Sequence, residues 1–165
     1  MGVGVRFDAA VVRRYDVPGP RYTSYPTAPQ FSESIGEVDY LRAARASNDD
    51  PIPRPLSLYV HVPFCTSPCF YCGCTRIITR DRTAGTRYLS RLQREIELQA
   101  RLFDRDRSVD QLHFGGGTPT FLNDAELGEL MRFIHHSFSL RDDSLREYSI
   151  EVDPRTVDDA RLAAI

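Results

Sequence analysis

The sequence contains no lysine, and all 21 of its basic residues are arginine. We interpret this as a compositional bias, because a functional preference for arginine would not also remove lysine from the rest of the surface. The net charge is −2 and no basic run stands out, so the charge pattern does not indicate a nucleic-acid partner. The sequence has neither an apolar run of membrane-spanning length nor the apolar core of a secretory signal. We therefore expect a cytoplasmic monomer with no membrane partner.

Cysteine is absent outside one short stretch. All four cysteines lie in CTSPCFYCGCT at 65–75, which we call the cysteine loop. In a reducing cytoplasm, clustered thiols more often bind metal or perform chemistry than form disulfides. A structural zinc site usually adds a second pair of ligands a dozen or more residues away. This sequence has no second cysteine pair, and the nearest histidine outside the loop, His61, precedes it, so the pattern favours a different metal centre.

The spacing within the cysteine loop favours an iron–sulfur cluster. Cys65, Cys69 and Cys72 are placed so that three thiolates can wrap three corners of a cubane. Cys74 is only the second residue after Cys72, which is a short step for reaching a fourth corner. A cluster with three protein thiolates leaves one iron open, and an open iron can bind and activate a substrate.

The pattern of elements changes near residue 55. Residues 1–55 combine short helices with a proline-stiffened extended arm at 17–31. From 56 to 165, strands predicted near 56–62, 109–114 and 147–152 alternate with amphipathic helices, which predicts an α/β fold with a parallel sheet. The last stretch, TVDDARLAAI, begins a helix with Thr156 as its N-cap and stops within three turns, so we expect the chain to be truncated at its C-terminus.

Candidate functional residues follow each predicted strand. The cysteine loop follows the first, GGGTPT follows the second, and Glu151 ends the third. In a parallel α/β barrel the active site lies at these carboxyl ends of the strands. The second stretch contains three residues without side chains, Gly115, Gly116 and Gly117, so the backbone can approach a ligand closely. Tyr59 shares one face of its strand with His61, whereas His113 is typical of an ordinary strand histidine and is not assigned to the site.

The C-x3-C-x2-C motif of the cysteine loop resembles the signature of the radical S-adenosylmethionine (SAM) superfamily. The resemblance implies that Cys65, Cys69 and Cys72 bind a [4Fe–4S] cluster whose open iron is chelated by SAM. It also implies that an electron from the cluster cleaves SAM to methionine and a 5′-deoxyadenosyl radical, which removes a hydrogen atom from the substrate. The implied fold is the first part of a partial (β/α)6 barrel, preceded by the irregular, proline-rich arm.

Four longer stretches resemble the oxygen-independent coproporphyrinogen III oxidase family. They are YDVPGPRYTSYPTAPQF, YVHVPFCTSPCFYCGC, LHFGGGTPTFL and SIEVDPRT. The resemblance implies oxidative decarboxylation of two propionate groups of coproporphyrinogen III to vinyl groups, which gives protoporphyrinogen IX in haem biosynthesis. It also implies two partners, the substrate and a reducing electron-donor protein.

The same resemblance implies roles for individual residues. It places one SAM molecule at Tyr59, Gly116 and Glu151. It places a second SAM molecule near Tyr71, Gly117 and Thr118, and Gly115 belongs to the same cofactor-binding turn. Cys74 resembles the extra cysteine of the oxidases, and we expect it to take part in catalysis together with Tyr22 of the arm.

Enzymes of the family are longer than this chain, so we expect the chain to be incomplete and inactive by itself.

Two alternative functions remain open. One alternative is a haem-binding chaperone of the same superfamily, against which the PGPRYTSYPT stretch and Cys74 argue because both resemble the oxidases. The other is a structural zinc-binding module, which a metal analysis showing zinc without iron or sulfide would favour.

Overall fold

The computed structural model describes residues 7–16, 27–70 and 72–165. Its helices are α1 (Ala9–Tyr15), α2 (Glu37–Ala46), α3 (Thr83–Ala100), α4 (Asp124–Ser137) and α5 (Asp159–Ala164). Its strands are β1 (Leu56–Val62), β2 (Phe64–Cys65), β3 (Ile77–Ile78), β4 (Ser108–Gly116), β5 (Ser139–Leu140) and β6 (Glu147–Ile150). Residues 17–26 of the arm and residue 71 lie outside the described residues, so the expectations for Tyr22 and Tyr71 stay predictions.

The chain divides into two compact units, Met1–Gly36 and Glu37–Ile165. In the first unit, the side chain of Asp8 caps α1 by accepting a hydrogen bond from the backbone N–H of Ala10 at 2.8 Å. The second unit begins with α2, whereas the sequence analysis grouped that helix with the arm and began the barrel at 56.

Helix α2 belongs to the second unit because its carboxyl end is bonded to the segment that enters β4. Arg107 is only 9% exposed, and its guanidinium donates to Ser47 Oγ and to Asn48 Oδ1, each at 2.8 Å. The same guanidinium donates twice to the carbonyl oxygen of Arg54, at 2.8 and 3.1 Å. A buried cation is costly unless its donors are satisfied, so these bonds fix the end of α2 beside β4.

The main sheet is parallel throughout. β1 pairs with one edge of β4 from Leu56↔Val109 to Val62↔Gly116. The other edge of β4 pairs with β5 at its start and with β6 from Gln111↔Glu147 to Phe114↔Ile150. The predicted α/β fold with a parallel sheet is therefore present, and the carboxyl ends of β1, β4 and β6 lie side by side.

Helices α3 and α4 pack with this sheet in one hydrophobic core. The largest fully buried side chains come from both the sheet and the α4 region: Leu112, Leu122, Leu130, Ile134, Val62, Val109 and Pro119. α4 begins with a capping box in which Asn123 Oδ1 accepts from the N–H of Glu126 and the Glu126 carboxylate accepts from the N–H of Asn123, each at 2.9 Å. Within the described residues, no helix is long and apolar enough to cross a membrane.

The segment after β6 differs from the expectation. α5 is capped by Asp158, whose Oδ1 accepts from the N–H of Arg161 at 2.8 Å, so the prediction of Thr156 as the cap is wrong. Thr156 instead closes a turn, because its N–H and its hydroxyl both donate to the carbonyl oxygen of Asp153, at 2.9 and 3.0 Å. This turn places the residues immediately after β6 close to the cysteine loop.

Candidate functional site

The glycine turn at the end of β4, 115–117, lies directly on the segment that enters the cysteine loop. The N–H of Gly117 donates to the carbonyl oxygen of Val62 and that of Thr118 to the carbonyl oxygen of Phe64, each at 2.8 Å. A Cβ atom on Gly117 would lie 2.8 Å from backbone atoms of Pro63 and Phe64, a distance that side chains do not tolerate. The two loops can therefore meet only if residue 117 is glycine.

Gly116 provides a second close contact, between this turn and the end of β6. Its φ angle is +114°, a conformation that favours glycine, and a Cβ atom would lie 2.8 Å from Cε1 of His61. Its N–H donates to Oε2 of Glu151 at 3.1 Å. The backbone N–H of Glu151 donates in turn to the carbonyl oxygen of Phe114 at 2.9 Å, so the last sheet hydrogen bond also holds this carboxylate in place.

Three side chains lie in register across the sheet beside Glu151. Tyr59 pairs with His113, and His113 pairs with Ser149, on three neighbouring strands. The rings of Tyr59 and His113 stack with centroids 5.7 Å apart, and His113 Nδ1 forms a hydrogen bond with Ser149 Oγ at 2.8 Å. His113 Nε2 lies 3.4 Å from Oε1 of Glu151, so the histidine holds the carboxylate oxygen to which Gly116 does not bond.

The same network reaches the far end of the cysteine loop through His61. Its Nδ1 lies 3.1 Å from the hydroxyl of Tyr59, and its Nε2 lies 2.9 Å from the carbonyl oxygen of Thr75. Burial first, and then the negative charges of Glu151 and Cys74, raise the pKa of Tyr59 above its ordinary value. Tyr59 is therefore a neutral hydrogen-bonding group at physiological pH.

Two cysteine sulfurs accept hydrogen bonds from other strand ends. Cys65 is buried on β2, and its sulfur accepts from the hydroxyl of Thr118 at 3.4 Å. The Cys65 carbonyl oxygen accepts from the N–H of Thr79 at 2.9 Å, which pins the start of the loop. The sulfur of the more exposed Cys69 accepts from Nη2 of Arg155 at 3.2 Å. Each donor suits a sulfur that carries negative charge.

Cys72 and Cys74 have opposite electrostatic surroundings. The backbone N–H of Cys74 foremost holds the pKa of Cys72 below its ordinary value, which favours the thiolate. The hydrogen bond to Cys72 foremost, then burial and the charges of Cys72, Glu151 and Cys65, raise the pKa of Cys74.

The donor set fits an iron–sulfur cluster. All four cysteines are free thiols, and thiolates are the ligands by which proteins hold such clusters. Among the residues that the structure describes, no three histidine, cysteine or acidic side chains converge closely enough to hold a single metal ion. Thr118 and Arg155 each donate a hydrogen bond to one sulfur of this loop, which suits the negatively charged sulfur of a cluster ligand.

Comparison with known proteins agrees with this geometry. The family model of the radical SAM superfamily matches residues 59–165, which include the cysteine loop and all the strand ends described above. The chain belongs to the radical SAM superfamily. Membership implies a [4Fe–4S] cluster and SAM as cofactors, and for Cys65, Cys69 and Cys72 the role of cluster ligands stays our assignment.

Several radical SAM relatives are similar over most of this chain. The oxygen-independent coproporphyrinogen III oxidase of Pseudomonas aeruginosa is 53% identical over 93% of this chain and 33% of its own length. The Escherichia coli protein of the same name is 47% identical over 93% of this chain and 32% of its own length. The Mannheimia haemolytica protein of that name is 46% identical over 90% of this chain and 97% of its own length. The chain thus spans about a third of the first two relatives.

A solved structure confirms the fold. Coproporphyrinogen III oxidase from Escherichia coli, described as a radical SAM enzyme, superposes with a TM-score of 0.76 at 43% identity. The match covers 97% of this chain and 34% of that one. The predicted first part of a parallel radical SAM barrel is therefore the fold observed.

Site residues that the sequence analysis missed come from two strand ends. His113 was set aside, yet it contacts both Tyr59 and Glu151. Strand alternation and the parallel register could have revealed it, since His113 lies directly opposite Tyr59. Arg155 was not considered, and no local pattern predicts its contact with Cys69, which is 86 residues away in sequence.

We expect the substitution Gly116→Ala to destabilise the chain by about 1–3 kcal/mol, because a Cβ would combine positive φ with a clash at His61. Urea-induced unfolding measures the difference. Gly128→Ala in α4 is the matched control, since its Cβ would meet only the end of the Arg132 side chain at 3.4 Å. Equal stabilities of the two variants would contradict the close contact described for Gly116.

Proposed function

We propose that this chain forms the cluster- and SAM-binding part of an oxygen-independent coproporphyrinogen III oxidase. The reaction converts two propionate side chains of coproporphyrinogen III to vinyl groups and gives protoporphyrinogen IX. The observation that carries the proposal is the meeting of the cysteine loop, the glycine turn and Glu151 at three adjacent parallel strand ends. The identity to oxidases over nearly the whole chain supports the choice of substrate.

Cys65, Cys69 and Cys72 are the proposed cluster ligands. When bound, the cluster supplies the electron that cleaves SAM to methionine and a 5′-deoxyadenosyl radical. The chain's own contribution is to hold the loop. The N–H of Thr79 bonds to Cys65, and His61 bonds to the carbonyl oxygen of Thr75, so both ends of the loop are fixed to the sheet.

Glu151 is the proposed anchor for one SAM molecule. Gly116 and His113 hold its two oxygens, and the remaining lone pairs can accept from an ammonium or a ribose hydroxyl. Gly115 and Gly116 let the backbone approach the cofactor. Tyr59 lies beside them and is 58% exposed, so its hydroxyl is available to the cofactor. A second SAM molecule near Tyr71, Gly117 and Thr118 is part of the proposal.

Cys74 and Tyr22 are the proposed catalytic residues. Each propionate gives a hydrogen atom from its β-carbon to the 5′-deoxyadenosyl radical, and the resulting carbon radical releases CO2 and passes one electron to an external one-electron acceptor. Cys74 is exposed, so its side chain can contact the propionate that reacts. Tyr22, on the proline-rich arm, supplies an aromatic face and a hydroxyl for a large apolar ring rimmed by carboxylates.

The remaining elements of the proposal concern partners and setting. A reducing electron-donor protein supplies the cluster's electron, and the substrate is coproporphyrinogen III. We propose a monomer that acts in the cytoplasm, where free thiols persist, without a nucleic-acid or membrane partner.

We expect Cys65→Ala, Cys69→Ala and Cys72→Ala each to abolish the cluster, and Cys74→Ala to retain it. The reason is that Cys74 is only the second residue after Cys72, which is a short step for reaching a fourth corner of the cluster. Anaerobic reconstitution followed by iron, sulfide and absorbance measurements tests the set, with Cys74→Ala as the matched control. Loss of the cluster in Cys74→Ala would show that the ligand assignment is wrong, and zinc without iron or sulfide would favour a zinc-binding module.

We expect Glu151→Gln to weaken SAM binding about ten- to hundredfold without loss of iron, because a charge-assisted hydrogen bond is worth roughly 1.5–3 kcal/mol. Titration of SAM into the reconstituted chain measures the affinity. Glu147→Gln is the control, since that carboxylate lies on the same strand and bonds to Gln111 at 2.6 Å. Equal affinities of the two variants would remove Glu151 from the SAM site.

Turnover is tested in a chimera in which this chain replaces the matching region of the Pseudomonas aeruginosa relative. We expect the chimera to form protoporphyrinogen IX with SAM and a reductant under anaerobic conditions. Tyr22→Phe and Cys74→Ala should each lower kcat at least tenfold while cluster content and SAM affinity stay unchanged. A chimera that binds haem but leaves coproporphyrinogen III unchanged would favour the chaperone, and full activity of both variants would remove them from catalysis.

A further inference from the structure

The segment that follows β6 contacts the cysteine loop through Arg155, which has no role in the function proposed above. Nη2 of Arg155 donates to the sulfur of Cys69 at 3.2 Å. We propose that Arg155 is a positioning residue for the cluster, which clamps Cys69 and raises the reduction potential of the cluster that Cys69 holds. This inference rests on the proposed function, since it takes Cys69 as a cluster ligand.

Arg155 is held in place before any cluster binds. Its Nε and Nη2 donate to the two carboxylate oxygens of Asp153, at 2.9 and 2.7 Å, in the two-pronged geometry that fixes a guanidinium most firmly. The backbone N–H of Arg155 also donates to Asp153 Oδ1 at 3.0 Å. Asp153 itself is only 17% exposed at its side chain and closes the turn with Thr156, so the anchor is part of the fold.

The chemistry of the contact favours a thiolate. A guanidinium carries only donors, so the sulfur of Cys69 must accept. An arginine guanidinium does not lose its proton in proteins, so the group is a permanent cation. Arg155 is therefore a fixed positive charge directly on one sulfur of the loop.

A cation at a cluster sulfur has a defined redox consequence. Reduction transfers one electron from an external low-potential donor, such as dithionite, to the cluster and makes the cluster more negative by one charge. Hydrogen bonds to the sulfurs and nearby charge are among the factors that set the potential. Arg155 stabilises the reduced form more than the oxidised form, because the attraction grows with the negative charge on the sulfurs.

The position of Arg155 also links the two halves of the site. Glu151, the proposed SAM anchor, precedes Asp153 by two residues and is bonded to the sheet through Phe114. One short segment thus holds both a carboxylate toward SAM and a guanidinium toward the cluster. A lysine at 155 would keep the charge but could not make the two-pronged bond to Asp153.

The test is a redox titration of reconstituted chains, followed by electron paramagnetic resonance (EPR) of the reduced cluster without SAM. In Arg155→Met we expect the ratio of oxidised to reduced cluster at a fixed potential to rise about tenfold, a downward shift of about 59 mV for one electron. Arg155→Lys should shift in the same direction by less, because lysine keeps the charge but loses the two-pronged bond to Asp153. Arg146→Met is the control, because that exposed arginine lies over Tyr148 and has no described contact with a cysteine.

The outcomes separate this inference from the function on which it rests. If Arg155→Met assembles no cluster, the downward shift must appear in Arg155→Lys. If the Arg155 variants assemble a cluster whose reduction potential equals that of the unsubstituted chain, the inference is overturned and the proposed function is left intact. An unsubstituted chain that binds no [4Fe–4S] cluster would contradict the proposed function itself and the inference with it.

Discussion

The contact between the glycine turn and the backbone that enters the cysteine loop is the constraint on which the rest of the site depends. Two main-chain hydrogen bonds of 2.8 Å join Gly117 and Thr118 to the residues on either side of Pro63. They form only because residue 117 has no Cβ. Once they exist, the Thr118 hydroxyl reaches the sulfur of Cys65, and the N–H of Gly116 points toward Glu151.

Parallel pairing extends this local contact into the candidate site. Because β1, β4 and β6 run in the same direction, their carboxyl ends meet at one edge, and each end delivers a different chemical group. The first supplies thiols, the second supplies a glycine turn whose N–H groups bond to the neighbouring strand ends, and the third is followed by a carboxylate and a guanidinium. The chain's contribution is thus orientation and electrostatics, whereas the cofactors supply the radical chemistry.

Sequence patterns predicted the elements better than the contacts between them. Hydrophobic spacing identified the sheet and the helices, because it depends on residues that are close together in the sequence. His113 and Arg155 were missed because their partners lie on other strands or loops, where only the fold determines distance. Threonine suits either a helix cap or a turn, so the sequence alone predicted Thr156 as the cap of α5. In the structure Thr156 bonds to the carbonyl oxygen of Asp153 and closes a turn, and Asp158 caps the helix.

The most direct measurement of the central claim is the EPR spectrum of the reduced, reconstituted chain with and without SAM. If three thiolates leave one iron open beside Glu151, SAM must bind at that iron. We therefore expect its addition to change the g values of the cluster, and SAM labelled with 15N at its amino group to show coupling to the electron spin. An unchanged spectrum at a SAM concentration that saturates binding would show that the strand ends do not hold the cofactor against the cluster.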